Sequence, residues 1–150
     1  MELNGPPFSP GRGFVAVFLA WSIAQLIKVI RGVLRQGRFN FRWIFDTGGM
    51  PSSHSASVGA LATTVGLYYG WKSIPFLITL IFTIITLFDA AGVRRSVGRQ
   101  AGILNKMLDD LYEKGQVPET RLKELLGHTP VEVLAGAFLG VVMSLLICKR

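Results

Sequence analysis

The chain has 150 residues, half of them hydrophobic and only 17% charged, with a mean hydropathy of +0.44 and a formal net charge of +7. The length bounds it to a single domain, 1–150, and apolar residues gathered into blocks exclude an ordinary soluble domain. The basic residues border those blocks and form no DNA- or RNA-binding motif, which excludes nucleic acid as a partner.

Four apolar segments are read as membrane spans, at about 14–34, 55–70, 74–91 and 131–147. Residues 1–13 carry three prolines and three glycines and no charged region leading into a short apolar run. The first segment is therefore expected to stay as a span rather than to be cleaved as a leader. It ends in Gln25, Lys28, Arg31 and Arg35. Gln25, Lys28 and Arg35 fall near one helical face, with Arg31 on a similar one. Residues 36–50 are polar and aromatic, and Phe39, Phe41, Trp43 and Phe45 suit an interfacial belt.

The stretch Gly48-Gly49-Met50-Pro51-Ser52-Ser53-His54-Ser55-Ala56 is the most informative in the chain. It sets a rigid turn, three hydroxyls and a histidine at the mouth of the second segment. That segment is rich in Ala, Gly, Ser and Thr, the small residues that close helix packing in a bilayer selects. Trp71-Lys72-Ser73 is read as a tight turn leading to Pro75, a good first-turn residue for the third segment.

The third segment ends at Asp89, which is read as functional or ion-paired, with Arg94 or Arg95 as its first candidate partner. Val97, Ala101, Leu104, Leu108 and Leu111 then form one helical stripe. With its basic first turn, residues 94–111 read as an amphipathic helix on the cytoplasmic face. Asp109-Asp110 is read as a solvated helix end. A hydrophilic stretch with Pro118 and a short helix through Leu126 follows. Gly127-His128-Thr129-Pro130 opens the fourth segment, with Glu132 one turn beyond His128. The single cysteine, Cys148, excludes an intramolecular disulfide.

Charge placement gives an orientation. The side reached by the end of segment one holds twelve Lys and Arg against four on the other side, which makes it cytoplasmic. Both histidines, Lys28, Arg35 and Asp89 then converge on that one face. The expected fold is all-α, an integral membrane bundle of about four transmembrane helices plus the cytoplasmic amphipathic helix. So thin a bundle leaves room for a homodimer, and the inner, plasma membrane is the expected location.

Pro51-Ser52-Ser53-His54 resembles the Pro-Ser-Gly-His signature of the type 2 phosphatidic acid phosphatases, whose fold is shared with the vanadium haloperoxidases. His128-Thr129-Pro130-Val131-Glu132 is similar to that family's last motif, a His followed four residues later by Asp. Lys28 and Arg35 match the spacing of its first motif. With Thr47-Gly48-Gly49-Met50 and the run from Asp89 to Arg95, the chain most resembles the divergent bacterial and plant branch, over nearly its whole length. It departs from the core pattern at Ser53 for Gly, Gln36 for Pro and Glu132 for Asp, and at Leu122, where the family has an Arg.

The resemblance implies phosphoryl transfer through a phosphohistidine, with no metal and no cofactor, on a lipid phosphate monoester. It implies His128 as nucleophile, Glu132 as the carboxylate that orients its ring, and His54 as general acid and then base. Lys28, Arg35, Ser52, Ser53 and the backbone N–H groups opening segment two would hold the phosphate. Arg94 or Arg95 would replace the missing third-motif Arg. Two other classes stay open. One is a non-catalytic membrane protein that binds anionic headgroups. The other is a metal-dependent hydrolase using His54, His128 and Asp89, although no compact ligand motif is present.

Overall fold

Small residues recur at every fourth position on three helices, and that spacing builds the bundle. The computed structural model describes residues 10–39, 41, 49–113 and 128–148. Its elements in chain order are α1 (Pro10–Gln36), α2 (Ser53–Tyr69), α3 (Ile74–Phe88), a π-helical turn (Asp89–Val93), α4 (Arg94–Glu113) and α5 (Pro130–Cys148). All four expected apolar segments and the amphipathic segment form helices close to their predicted bounds. The short helix expected before Leu126 lies outside the described residues, as does most of the aromatic loop.

The interior is made of small side chains. Ala20 and Ala24 of α1 meet Ala56 and Ala60 of α2 in the core, with Val17, Leu139 and Met143 around them. On α1 the buried stripe Ala16, Ala20, Ala24 ends one turn later in Lys28. Large apolar side chains such as Phe14, Phe18, Leu26, Ile78, Ile85, Phe88, Phe138 and Leu146 are exposed on the outside. A soluble protein rarely exposes so much contiguous apolar surface, whereas lipid solvates it at no cost.

α2 and α5 run parallel and in register. Gly136 sits against the Ser52 carbonyl and the Ser55 side chain, and Gly140 against Ala56 and Ala60. One turn further on, the Ser144 hydroxyl donates to the Ala60 carbonyl at 2.8 Å and lies 3.1 Å from the Thr64 hydroxyl. Thr64 also lies 3.8 Å from the Cys148 sulfur. Each step of four residues on one helix is matched by four on the other. A Cβ on Gly140 would meet the backbone of α2 at 2.6 Å or closer, so only glycine allows this approach. Gly59 makes the reciprocal contact on α2, where a Cβ would stand 2.8 Å from the Ala137 carbonyl oxygen.

α3 packs on α2 through its one buried residue, Thr83, whose hydroxyl donates to the Val58 carbonyl at 3.1 Å and to the Thr79 carbonyl at 2.8 Å. Ser73 caps α3 by accepting the Phe76 N–H, and Pro75 lies in the first turn as expected. The chain then passes through the π-helical turn into α4 without leaving the helix.

Three helical stretches are long and apolar enough to cross a membrane among the described residues: Gly11–Gln36, Ile74–Asp109 and Pro130–Cys148. α2, read from sequence as a fourth span, has 17 residues and falls short of that measure. It is about 26 Å long and runs through the centre of the bundle, wrapped by α1, α3 and α5. Its small residues explain both its low hydropathy and its burial.

If α2–α5 contact governs stability, Gly140→Leu should destabilise the detergent-purified protein by about 3 kcal/mol, because it forces the two backbones apart. Leu146→Ala, on the lipid-facing side, should change stability by less than about 0.5 kcal/mol. Thermal unfolding of the two variants beside the wild type checks this.

Candidate functional site

The segment before α2 is shaped by its own residues. Gly49 takes a φ of +87°, a left-handed turn that favours glycine. Pro51 is buried. Ser52 is the N-cap of α2, in extended conformation, and its hydroxyl oxygen accepts the Ser55 N–H at 3.3 Å. This locks the Pro51-Ser52-Ser53-His54 run into the opening of the helix.

Two neighbouring helices hold that run in place. From α5, the Glu132 carbonyl accepts the Ser52 N–H at 3.0 Å. From α1, the Lys28 amine donates to the Ser53 hydroxyl at 3.3 Å, and the Arg31 guanidinium donates to the Met50 carbonyl at 3.4 Å. Lys28 is only 8% exposed, and Ser52 and Ser53 are buried. α1 therefore grips the motif at two points one helical turn apart.

His128 stands two residues before α5, just outside its Thr129 cap, and is 3% exposed. Its Nδ1 lies 3.1 Å from Oε2 of Glu132. A carboxylate only accepts, so against an ionised Glu132 the hydrogen of this bond belongs to Nδ1, and in the neutral ring Nε2 carries the lone pair. The same Oε2 accepts the Thr129 N–H at 3.1 Å, and the Thr129 hydroxyl accepts the Glu132 N–H at 3.3 Å. Thr129-Pro130-Val131-Glu132 is thus a reciprocal capping box with proline at the first helical position.

The expected residues separate into groups. Lys28, Ser52, Ser53, His128 and Glu132 are brought together by the bonds above. His54 stands next to Ser53 in the first turn of α2 and is exposed. Arg35 is exposed near the end of α1, two turns beyond Lys28, and gives none of the bonds to the motif described above. Arg31, read only as sharing the face, bonds the Met50 carbonyl at the start of the motif. Asp89 is half-buried and opens the π-helical turn, which lies against α5. The side chains of Arg94 and Arg95, and with them the expected pairing with Asp89, lie outside the described residues. Among the described residues, no three His, Cys, Asp or Glu side chains are grouped closely enough to hold a metal ion.

Sequence reasoning missed Thr129, although the Thr-x-x-Glu capping signature was present. It also missed the π-helical turn, which no composition signal announces.

The electrostatics favour an anion. The N-termini of α2 and α5 open side by side, so the positive ends of two helix dipoles and their N–H groups face one region. Lys28 adds a full charge beside the Ser53 hydroxyl. A histidine oriented by a carboxylate in such a field has the arrangement of an activated nucleophile or base.

Comparison with known proteins follows the same lines. The Divergent PAP2 family profile matches residues 11–143. The chain is similar to the uncharacterized membrane protein YuiD of Bacillus subtilis (strain 168), 42% identical over an alignment of 135 residues that covers 83% of this chain and 85% of that protein. No solved structure matches. The chain belongs to the Divergent PAP2 family, a divergent branch of the PAP2 superfamily.

Replacing the α2 cap should be felt in the fold. Ser52→Ala removes the acceptor for the Ser55 N–H in a buried position and should lower stability by about 1 kcal/mol in chemical or thermal unfolding. Ser52→Gly should cost only a few tenths of a kcal/mol.

Proposed function

We propose that this Divergent PAP2 protein is a membrane-embedded phosphatase that hydrolyses a lipid phosphate monoester through a phosphohistidine. The observation that carries the reading is the His128–Glu132 pair, held by a backbone bond against the Pro51-Ser52-Ser53-His54 run, with Lys28 bonded to that run. A pure anion binder needs cations and N–H donors; a carboxylate that fixes one ring nitrogen of a buried histidine serves a reaction at the other.

The first step forms a bond from His128 Nε2 to phosphorus and breaks the bond from phosphorus to the lipid alkoxide. His54, as imidazolium, donates a proton to the departing oxygen. In the second step His54, now neutral, takes a proton from water as its oxygen attacks phosphorus. The P–N bond breaks, inorganic phosphate leaves and His128 is restored. Glu132 steadies the positive charge that the ring carries between the steps. Lys28, Ser52, Ser53 and the N–H groups at the start of α2 hold the phosphoryl oxygens, where charge stabilisation matters most. Arg35, Arg94 and Arg95 remain candidates for further phosphate contacts.

The lipid class of the substrate is supported by where the site lies. It occupies one end of a bundle whose outer surface is apolar. The excess of basic residues on that side supports a site at the cytoplasmic leaflet. Phosphatidate, phosphatidylglycerol phosphate and polyprenyl phosphates share the required chemistry. A second reading, binding of anionic headgroups without catalysis, draws support from Leu122, which stands where the core family has an arginine.

The test is phosphate release by detergent-purified protein from these three lipids, with chelator present. Release should occur, should be inhibited by vanadate, and should fall at least about 10³-fold in His128→Ala. Headgroup binding by a folded wild type that releases no phosphate from any of the three would favour the second reading.

A further inference from the structure

We infer that Thr129 is a positioning residue for His128, acting through Glu132, and that the capping box is why a glutamate stands at position 132. As it bears on catalysis, this rests on the phosphohistidine reading; as it bears on the state of the His128 ring, it stands on the hydrogen bonds alone. Three bonds join three residues: Thr129 N–H to Glu132 Oε2 at 3.1 Å, His128 Nδ1–H to the same oxygen at 3.1 Å, and Glu132 N–H to Thr129 Oγ1 at 3.3 Å.

His128 lies one residue outside the cap, where no helical ladder fixes its backbone. Its ring is fixed by the carboxylate it touches. That carboxylate is in turn fixed by a backbone N–H, the least mobile donor available, and by the helical turn that the Thr129 hydroxyl closes. One oxygen therefore serves two tasks. It caps α5 and it sets the proton of His128 on Nδ1.

Side-chain length decides which acid can do both. A capping box uses Glu or Gln at the third helical position because the side chain must reach back over a full turn. Aspartate is one methylene shorter. Placed at 132, it would give up either the Thr129 N–H or His128 Nδ1. The change from the core family's Asp to Glu132 is then a consequence of how this chain starts α5.

The test reads the ring directly. The chain has two histidines, so ¹⁵N-histidine labelling with His54→Asn leaves His128 alone in the spectrum. At a pH where the ring is neutral, the otherwise wild-type protein should show one tautomer, with the proton on Nδ1. Thr129→Ala should show both tautomers, and Thr129→Ser should restore one. Glu132→Asp, with Thr129 intact, should also show both. In the activity assay, with His54 present, Thr129→Ala should lower kcat about 10- to 100-fold with KM within about twofold, and Thr129→Ser should recover kcat to within about twofold.

A single Nδ1–H tautomer in Thr129→Ala would overturn the proposal, even if that variant were less stable, because Thr129 would then be a cap alone. Should Thr129→Ala fail to fold, Glu132→Asp decides: one tautomer there overturns the argument, two support it. Absence of phosphate release by the wild type would sink the phosphohistidine reading and leave the tautomer result to judge Thr129.

Discussion

The parallel packing of α2 on α5 is the constraint on which the rest of the structure depends. Within a bilayer, burying apolar surface gives helices no reason to associate, since lipid tails solvate them equally well. Association has to come from close van der Waals contact and from hydrogen bonds. Gly136 and Gly140 remove the side chains that would hold the two backbones apart, and Ser144 and Thr64 add hydroxyl contacts further along. Because the match repeats every four residues on both helices, sliding one helix past the other would break every level at once.

That register determines the chemistry at the end of the bundle. Parallel helices in register start at the same level, so the Ser52 cap meets the first turn of α5 and the two bond through their backbones. Antiparallel helices would have placed one positive dipole end beside one negative end. Here two positive ends lie together, and the alanine stripe of α1 delivers Lys28 to the same place. An amine within an apolar bundle is expensive to keep. The Ser53 hydroxyl offsets part of that cost, and an anion bound at the two helix starts would offset more. The Arg31 bond to the Met50 carbonyl ties the approach to α2 to α1.

The helices were legible because their residues are blocked and their caps carry ordinary signals: Ser52, Ser73 with Pro75, and Pro130. The role of α2 was less legible. Hydropathy rewards large apolar side chains, yet in this bundle those face lipid, while the most deeply packed helix is built of Ala, Gly, Ser and Thr. The most buried helix therefore reads as the weakest span. Within the candidate site, Lys28, Ser52, Ser53, His128 and Glu132 could be assembled from motif spacing. The choice between Arg31 and Arg35 could not. Both lie near one helical face, and only the docking of the Gly49–Met50–Pro51 backbone decides which one makes contact.

The course from α3 into α4 follows from the π-helical turn. A regular α-helix carried straight on from α3 would keep one angular relation between its faces. The wider turn at Asp89–Val93 resets that phase between an all-apolar span and an amphipathic helix. On α4, Val97, Ile103, Leu104, Met107 and Leu111 are exposed, whereas Gly98 and Asn105 are buried. The expected stripe is therefore present, with its large members turned away from the protein and Ala101 and Leu108 at its half-buried margin. An apolar stripe on an otherwise polar helix that leaves the end of a span fits the headgroup boundary of a bilayer. The small, close-fitting residues thus face inward on α1, α2 and α5, and the large apolar ones face outward on α1, α3, α4 and α5.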